Sequence, residues 1–201
     1  MARLRVGLTG GLASGKTTVA RRLAAWPGLL VVDADRLVAE LYRPGGAGAA
    51  AVASLFGPGC LSPDGAVDRG ALASQVFADA EARGRLEEAI HPLVRARFAA
   101  LADAHEGVAV LEAALLVEAG YRDLFDLVVT VEAPEEVRLA RAVARGLPEA
   151  DARARLAAQV DGAARRAASD LVIANDGDLA RLEALADELG ASLVARAGLP
   201  A

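Results

Sequence analysis

The sequence predicts an α/β protein with a five-stranded parallel sheet flanked by helices, and three observations carry that expectation. A glycine-rich loop, Gly10-Gly11-Leu12-Ala13-Ser14-Gly15-Lys16-Thr17, lies between a short apolar run and a helical stretch. Four more short apolar runs recur along the chain, each compact enough for a buried parallel strand. The stretch from about Leu55 to Ala100 holds no convincing strand and reads as a helical insertion.

The loop fits the pattern of Gly, four residues, then Gly-Lys-Ser/Thr, which binds phosphate. Leu4 to Thr9 reads as the strand before it, and Thr18 to Ala25 as the helix after it. Strand, glycine turn and helix start aim backbone N–H groups, and the positive end of the helix dipole, at a polyphosphate. Gly10 through Thr18 are therefore the expected ATP-binding set, with Lys16 on the β- and γ-phosphates and the Thr17 hydroxyl as Mg²⁺ ligand. Of the 22 lysines and arginines, Lys16 is the only lysine. A compact ammonium on a flexible stem fits a tight phosphate cradle where a planar guanidinium does not.

At 201 residues the chain is one domain, long enough to bury a full core. No apolar run reaches membrane-spanning length, and the glycines at 7, 10 and 11 break the only stretch that imitates a leader. The single cysteine, Cys60, excludes an internal disulfide and points to the cytoplasm. A net charge of −5 argues against nucleic-acid binding, so no nucleic-acid or membrane partner is expected. Oligomeric state is left open.

Leu29 to Val32 is the second strand, with Asp33-Ala34-Asp35 at its carboxyl end. Ligands of open α/β sheets bind at that edge, which places Asp33 near the transferred phosphate as general base or as a partner of Mg²⁺ or its water. Asp35 is expected to cap the next helix. Turns at Gly57-Pro58-Gly59 and Pro63-Asp64-Gly65 divide the insertion, and His91 before Pro92 reads as a helix-start residue. Val108 to Glu112 is the third strand; its terminal carboxylate is a candidate to organise Mg²⁺, with Glu118 a second one. Leu127 to Val131 is the fourth strand, and Pro134 opens the helix after it. Arg138, Arg141 and Arg145 share one face of that helix. Gly146-Leu147-Pro148 breaks it, and a second helix is expected from Glu149 to about Ala168. This arginine-rich pair reads as a lid that neutralises charge on the migrating phosphoryl group, Arg141 first. Leu171 to Ile173 is the fifth strand, followed by Asn175 in a turn expected near the adenine. A last helix from Leu179 should stop at Gly190.

Taken together, the phosphate loop, Asp33-Ala34-Asp35 with Glu40, Asp64-Gly65, Asp68-Arg69, Val76-Phe77, His91-Pro92, Leu115-Leu116 with Glu118, the Arg138/Arg141/Arg145 helix, Gln159 and Asp170 to Asn175 resemble the dephospho-coenzyme A kinase family. The resemblance implies the P-loop kinase fold. It also implies transfer of the γ-phosphoryl group of ATP to the ribose 3′-hydroxyl of dephospho-coenzyme A, the last step of coenzyme A biosynthesis. Asp33 matches the presumed general base, so the catalytic set is Asp33, Lys16 and Arg141. The core is expected at about 1–35, 103–134 and 167–201, an acceptor-binding insertion at about 36–102, and the lid at about 135–166. Ala13 stands where glycine is usual, which is tolerable if its φ is negative; Ala114 and Val117 replace a usual proline and phenylalanine. A nucleoside monophosphate kinase is disfavoured by the long insertion, and a GTP switch by the lack of a second lysine for guanine reading. An ATP-binding scaffold without catalysis is disfavoured by the intact loop with Asp33.

Overall fold

The computed structural model describes residues 3–77, 79–116 and 120–200. In chain order come β1 (Leu4–Gly10), α1 (Lys16–Leu23) and β2 (Leu29–Asp33). Four helices follow: α2 (Ala34–Leu41), α3 (Ala47–Phe56), α4 (Arg69–Val76) and α5 (Ala80–Asp103). Next are β3 (Val108–Glu112), β4 (Leu127–Glu132), α6 (Glu135–Ala144), α7 (Glu149–Ala158) and α8 (Gly162–Ala167), then β5 (Leu171–Ala174) and α9 (Leu179–Arg196). Two compact units form, one from Met1–Asp33 with Leu101–Ala201 and one from Ala34–Ala100.

The first unit holds the sheet, which is parallel throughout and ordered β2-β3-β1-β4-β5. Parallel strands buried on both faces require continuous apolar runs, and every residue of β3 and β4 is buried. On one face Val6 and Leu8 of β1 pack with Val19 and Leu23 of α1 and Leu182, Ala186 and Leu193 of α9. β1 lies centrally between β3 and β4, so its loop leaves from the middle of the carboxyl edge. That edge also carries the ends of β2 and β3, where Asp33 is in register with Glu112.

Three local expectations are corrected. α9 does not stop at Gly190 but runs on to Arg196, because the missing side chain makes room for the Trp26 indole: a Cβ there would lie 2.6 Å from Trp26 Cε2. The helix expected from Glu149 to Ala168 is two helices, since Gln159 adopts extended backbone and the Asp161 carboxylate caps α8 by accepting the Ala164 N–H at 2.7 Å. His91 is a mid-helix residue of α5, which continues through Pro92. Asp35 lies in the first turn of α2, where its carboxylate favours the helix dipole.

The second unit is helical with one isolated antiparallel bridge, Leu61 to Val67, around the Pro63-Asp64-Gly65 turn. Its core gathers Ala49, Val52, Cys60, Val67 and Leu72. Asp68 caps α4 by accepting the Gly70 and Ala71 N–H groups at 2.9 and 3.0 Å.

Candidate active site

The phosphate loop runs from the end of β1 into α1 through two left-handed residues, Ala13 at φ 56° and Gly15 at φ 103°. The expectation of negative φ at Ala13 is overturned: the tight turn that brings the Ser14 N–H back to Gly11 C=O at 3.1 Å imposes the left-handed conformation on an alanine. Gly15 is the N-cap of α1 and no side chain caps that helix, so its first N–H groups are left for an anion. A cavity of about 250 Å³ opens there, lined by Gly10 through Thr18 with Ala114, Arg145 and Gln159.

Lys16 and Thr17 both reach one carboxylate. Glu112 Oε1 accepts from Lys16 Nζ at 2.6 Å and from Thr17 Oγ1 at 2.8 Å, and Glu112 is 7% exposed. A nearly buried carboxylate persists because a cation and a hydroxyl satisfy it. Asp33 stands beside Glu112 on the neighbouring strand and is partly exposed. Glu118 and Val117 lie outside the described residues.

Asn175 is buried, and its Nδ2 donates to the Ser14 carbonyl at 2.7 Å, while its Oδ1 accepts from Arg141 Nη2 at 3.4 Å. A second cavity of about 270 Å³ adjoins the first, sharing Gly15, Thr18 and Arg145, and adds Arg141, Asn175, Leu179 and Leu182. The first cavity is ringed by the loop and Lys16, a setting for a polyphosphate, and the second sets Leu179 and Leu182 beside Arg141, Arg145 and Asn175. Arg141 lines the second cavity, and Arg145 lines both.

Sequence reasoning quoted Gln159 without a role and missed Glu132. Gln159, at the break between α7 and α8, accepts the Leu12 N–H on Oε1 at 2.8 Å and so ties the arginine-rich segment to the loop. Glu132 ends β4 as Glu112 ends β3, but it turns to a buried ion pair with Arg165, Oε1 to Nε at 2.7 Å. The same carboxylate-at-strand-end signal marks both, and reading β4 one residue longer would have found it.

A phosphate loop on the central strand of a parallel sheet, with its lysine and hydroxyl already converging on a strand-end carboxylate, defines the class: this is a P-loop kinase. Within that class the chain belongs to the dephospho-CoA kinase family, whose model matches residues 4–181. It is 46% identical over 193 residues to a dephospho-CoA kinase of Frankia casuarinae, covering 95% of this chain and 84% of that one. With a dephospho-CoA kinase of Streptomyces avermitilis it shares 45% identity over 200 residues, 98% of this chain and 97% of the other. A crystal structure from Thermus thermophilus aligns with a TM-score of 0.80 at 33% identity, covering 96% of this chain and 99% of that one.

Proposed function

We propose that this kinase transfers the γ-phosphoryl group of ATP to the ribose 3′-hydroxyl of dephospho-coenzyme A, giving coenzyme A and ADP, the last step of coenzyme A biosynthesis. Family membership over nearly the whole chain supports the reaction, and the observation that carries the chemistry is the convergence of Lys16 and Thr17 on Glu112. The Lys16 ammonium moves from Glu112 to the β- and γ-phosphates when ATP enters, while the uncapped N–H groups at the start of α1 hold the remaining oxygens.

The Thr17 hydroxyl and the Glu112 carboxylate are oxygen donors of the kind Mg²⁺ takes. Among the described residues no group of three or more His, Cys, Asp and Glu could cage a metal alone, which suits an ion held by one or two protein groups and by substrate phosphates. Thr17 and Glu112 would hold the ion, and it would supply positive charge to offset that of the phosphates.

Asp33, at the same edge, orients the acceptor hydroxyl and takes its proton as the bond to phosphorus forms. Arg141 and Arg145 neutralise charge along the nucleotide, and Asn175 fixes the loop beside the base. The helical unit is read as the acceptor-binding segment, and the segment 135–166 as a lid that excludes water. Among the described residues no helix is long and apolar enough to cross a membrane. We place the enzyme in the cytoplasm, in keeping with a lone buried cysteine.

The test is ADP release from ATP and Mg²⁺ with dephospho-coenzyme A, AMP or adenosine as acceptor. Strong stimulation by dephospho-coenzyme A alone, with product phosphorylated on the 3′-oxygen, is expected. Stimulation by AMP instead would discard the acceptor and keep the ATP site.

A further inference from the structure

Two guanidinium groups are buried against the phosphate loop at Gly11. Arg165 is 1% exposed and Arg138 is 6% exposed. A Cβ at Gly11 would lie 2.3 Å from Arg138 Nη1 and 3.0 Å from Arg165 Nη2, so only glycine lets both groups approach the loop backbone.

Their pairing is unequal. Arg165 takes both oxygens of Glu132, at 2.7 Å through Nε and 3.1 Å through Nη2, and also donates to the Val160 carbonyl. Thr130 Oγ1 donates to the same Glu132 Oε1 at 2.9 Å. Arg138 Nε and Nη1, by contrast, are buried without a hydrogen-bond partner among the described residues. The charged groups that act on Arg138 are Arg165, Glu132 and Glu135; the first repels it, and Glu132 is already engaged. Burial first, and then Arg165, pulls the Arg138 pKa below the ordinary guanidinium value, yet a guanidinium stays protonated in water-like pH ranges. Of the two carboxylates that act on Arg138, Glu132 is engaged by Arg165, and the exposed Glu135 makes no hydrogen bond to the buried Nε or Nη1.

A buried charge without its counter-charge is costly, and a side chain kept in that state is balanced elsewhere. We propose that Arg138 is a positioning residue for the nucleotide, its buried charge balanced by the phosphates of ATP held across the loop at Gly11 rather than by a protein carboxylate. The role differs from that of Arg141 and Arg145, which line the cavities themselves: Arg138 acts through the Gly11 backbone. It rests on the ATP-dependent reading given above.

The experiment compares wild type, Arg138→Gln and Arg138→Lys by thermal melting with and without saturating ATP or inorganic tripolyphosphate. Calorimetric Kd for ATP and steady-state kinetics accompany the melts. In Arg138→Gln the unliganded protein should melt no lower than wild type, because an unbalanced charge has been removed. Its melting-temperature rise with either phosphate ligand should shrink, and Kd for ATP should weaken about tenfold or more, with KM moving further than kcat. Arg138→Lys, which keeps the charge, should retain most of the rise. An Arg138→Gln protein that fails to fold, or that binds ATP as wild type does, overturns the proposal. So does equal loss in the glutamine and lysine variants, which would assign the effect to shape. A wild type that shows no rise with ATP would instead overturn the ATP reading beneath it.

Discussion

The Lys16 ammonium lies 2.6 Å from Glu112 Oε1, and the Thr17 hydroxyl donates to that same oxygen at 2.8 Å. Lysine and carboxylate side chains are 15% and 8% exposed, so the pair is screened far less than a surface bridge. The carboxylate fixes the loop lysine at the mouth of the cavity, where the proposed function has it exchange one anion for another. It arises because β3 ends in glutamate next to the strand that feeds the loop, in register with Leu8.

Glu112→Gln keeps the shape but removes the charge that Thr17 would share with Mg²⁺. The Mg²⁺ concentration for half-maximal activity should rise about 10–100-fold. A Mg²⁺ titration of initial rates checks this. A variant with lower turnover but the wild-type Mg²⁺ dependence would remove Glu112 from the metal site.

Asp33→Asn retains hydrogen bonding but cannot take a proton. Turnover should fall roughly 10²–10⁴-fold while ATP affinity stays near wild type, since Asp33 is not part of the loop cavity. Rapid-quench turnover and equilibrium ATP binding separate the two effects. Near wild-type turnover would withdraw the base assignment.

Ala13 carries a side chain in the left-handed region, at φ 56°. Such a conformation costs an L-residue about 1–2 kcal/mol, against about 0.5–1 kcal/mol for the extra chain entropy of glycine. Ala13→Gly should therefore stabilise the protein by roughly 0.5–1 kcal/mol, raising the melting temperature by about 1–4 °C. Calorimetry decides it; a lower melting temperature would mean the alanine methyl contributes more than its strain costs.

Gly190→Ala sets two effects against each other. Alanine is favoured in a helix interior by about 1 kcal/mol. The new Cβ, however, would lie 2.6 Å from Trp26 Cε2 and 2.7 Å from Trp26 Nε1, and that ring is held by its hydrogen bond to Asp187 at 3.2 Å. The clash should win, with a net loss of about 1–3 kcal/mol in urea unfolding. A stabilised variant would show that the indole moves freely.

The sequence alone determined the elements whose signals are local. Five apolar runs became five parallel strands: β3 and β4 are buried throughout, as apolar runs permit, and the edge strands β2 and β5 are only partly covered. The phosphate loop was legible from its spacing, since backbone cradling of phosphate needs glycine and a lysine at fixed offsets. Tertiary structure alone decided what depends on partners distant in sequence. Gly190 reads as a helix stop until Trp26, far away in the chain, explains it as a space. The left-handed turn at Ala13 overrides the preference of an L-residue because the closed loop leaves its backbone no other path. Gln159 on the Leu12 N–H, and Arg138 set against Gly11 with Nε and Nη1 unpartnered among the described residues, follow from where the arginine-rich helices pack. A sequence pattern records what a residue is; which charge stands opposite it, and which stands unbalanced, is fixed only when the chain closes.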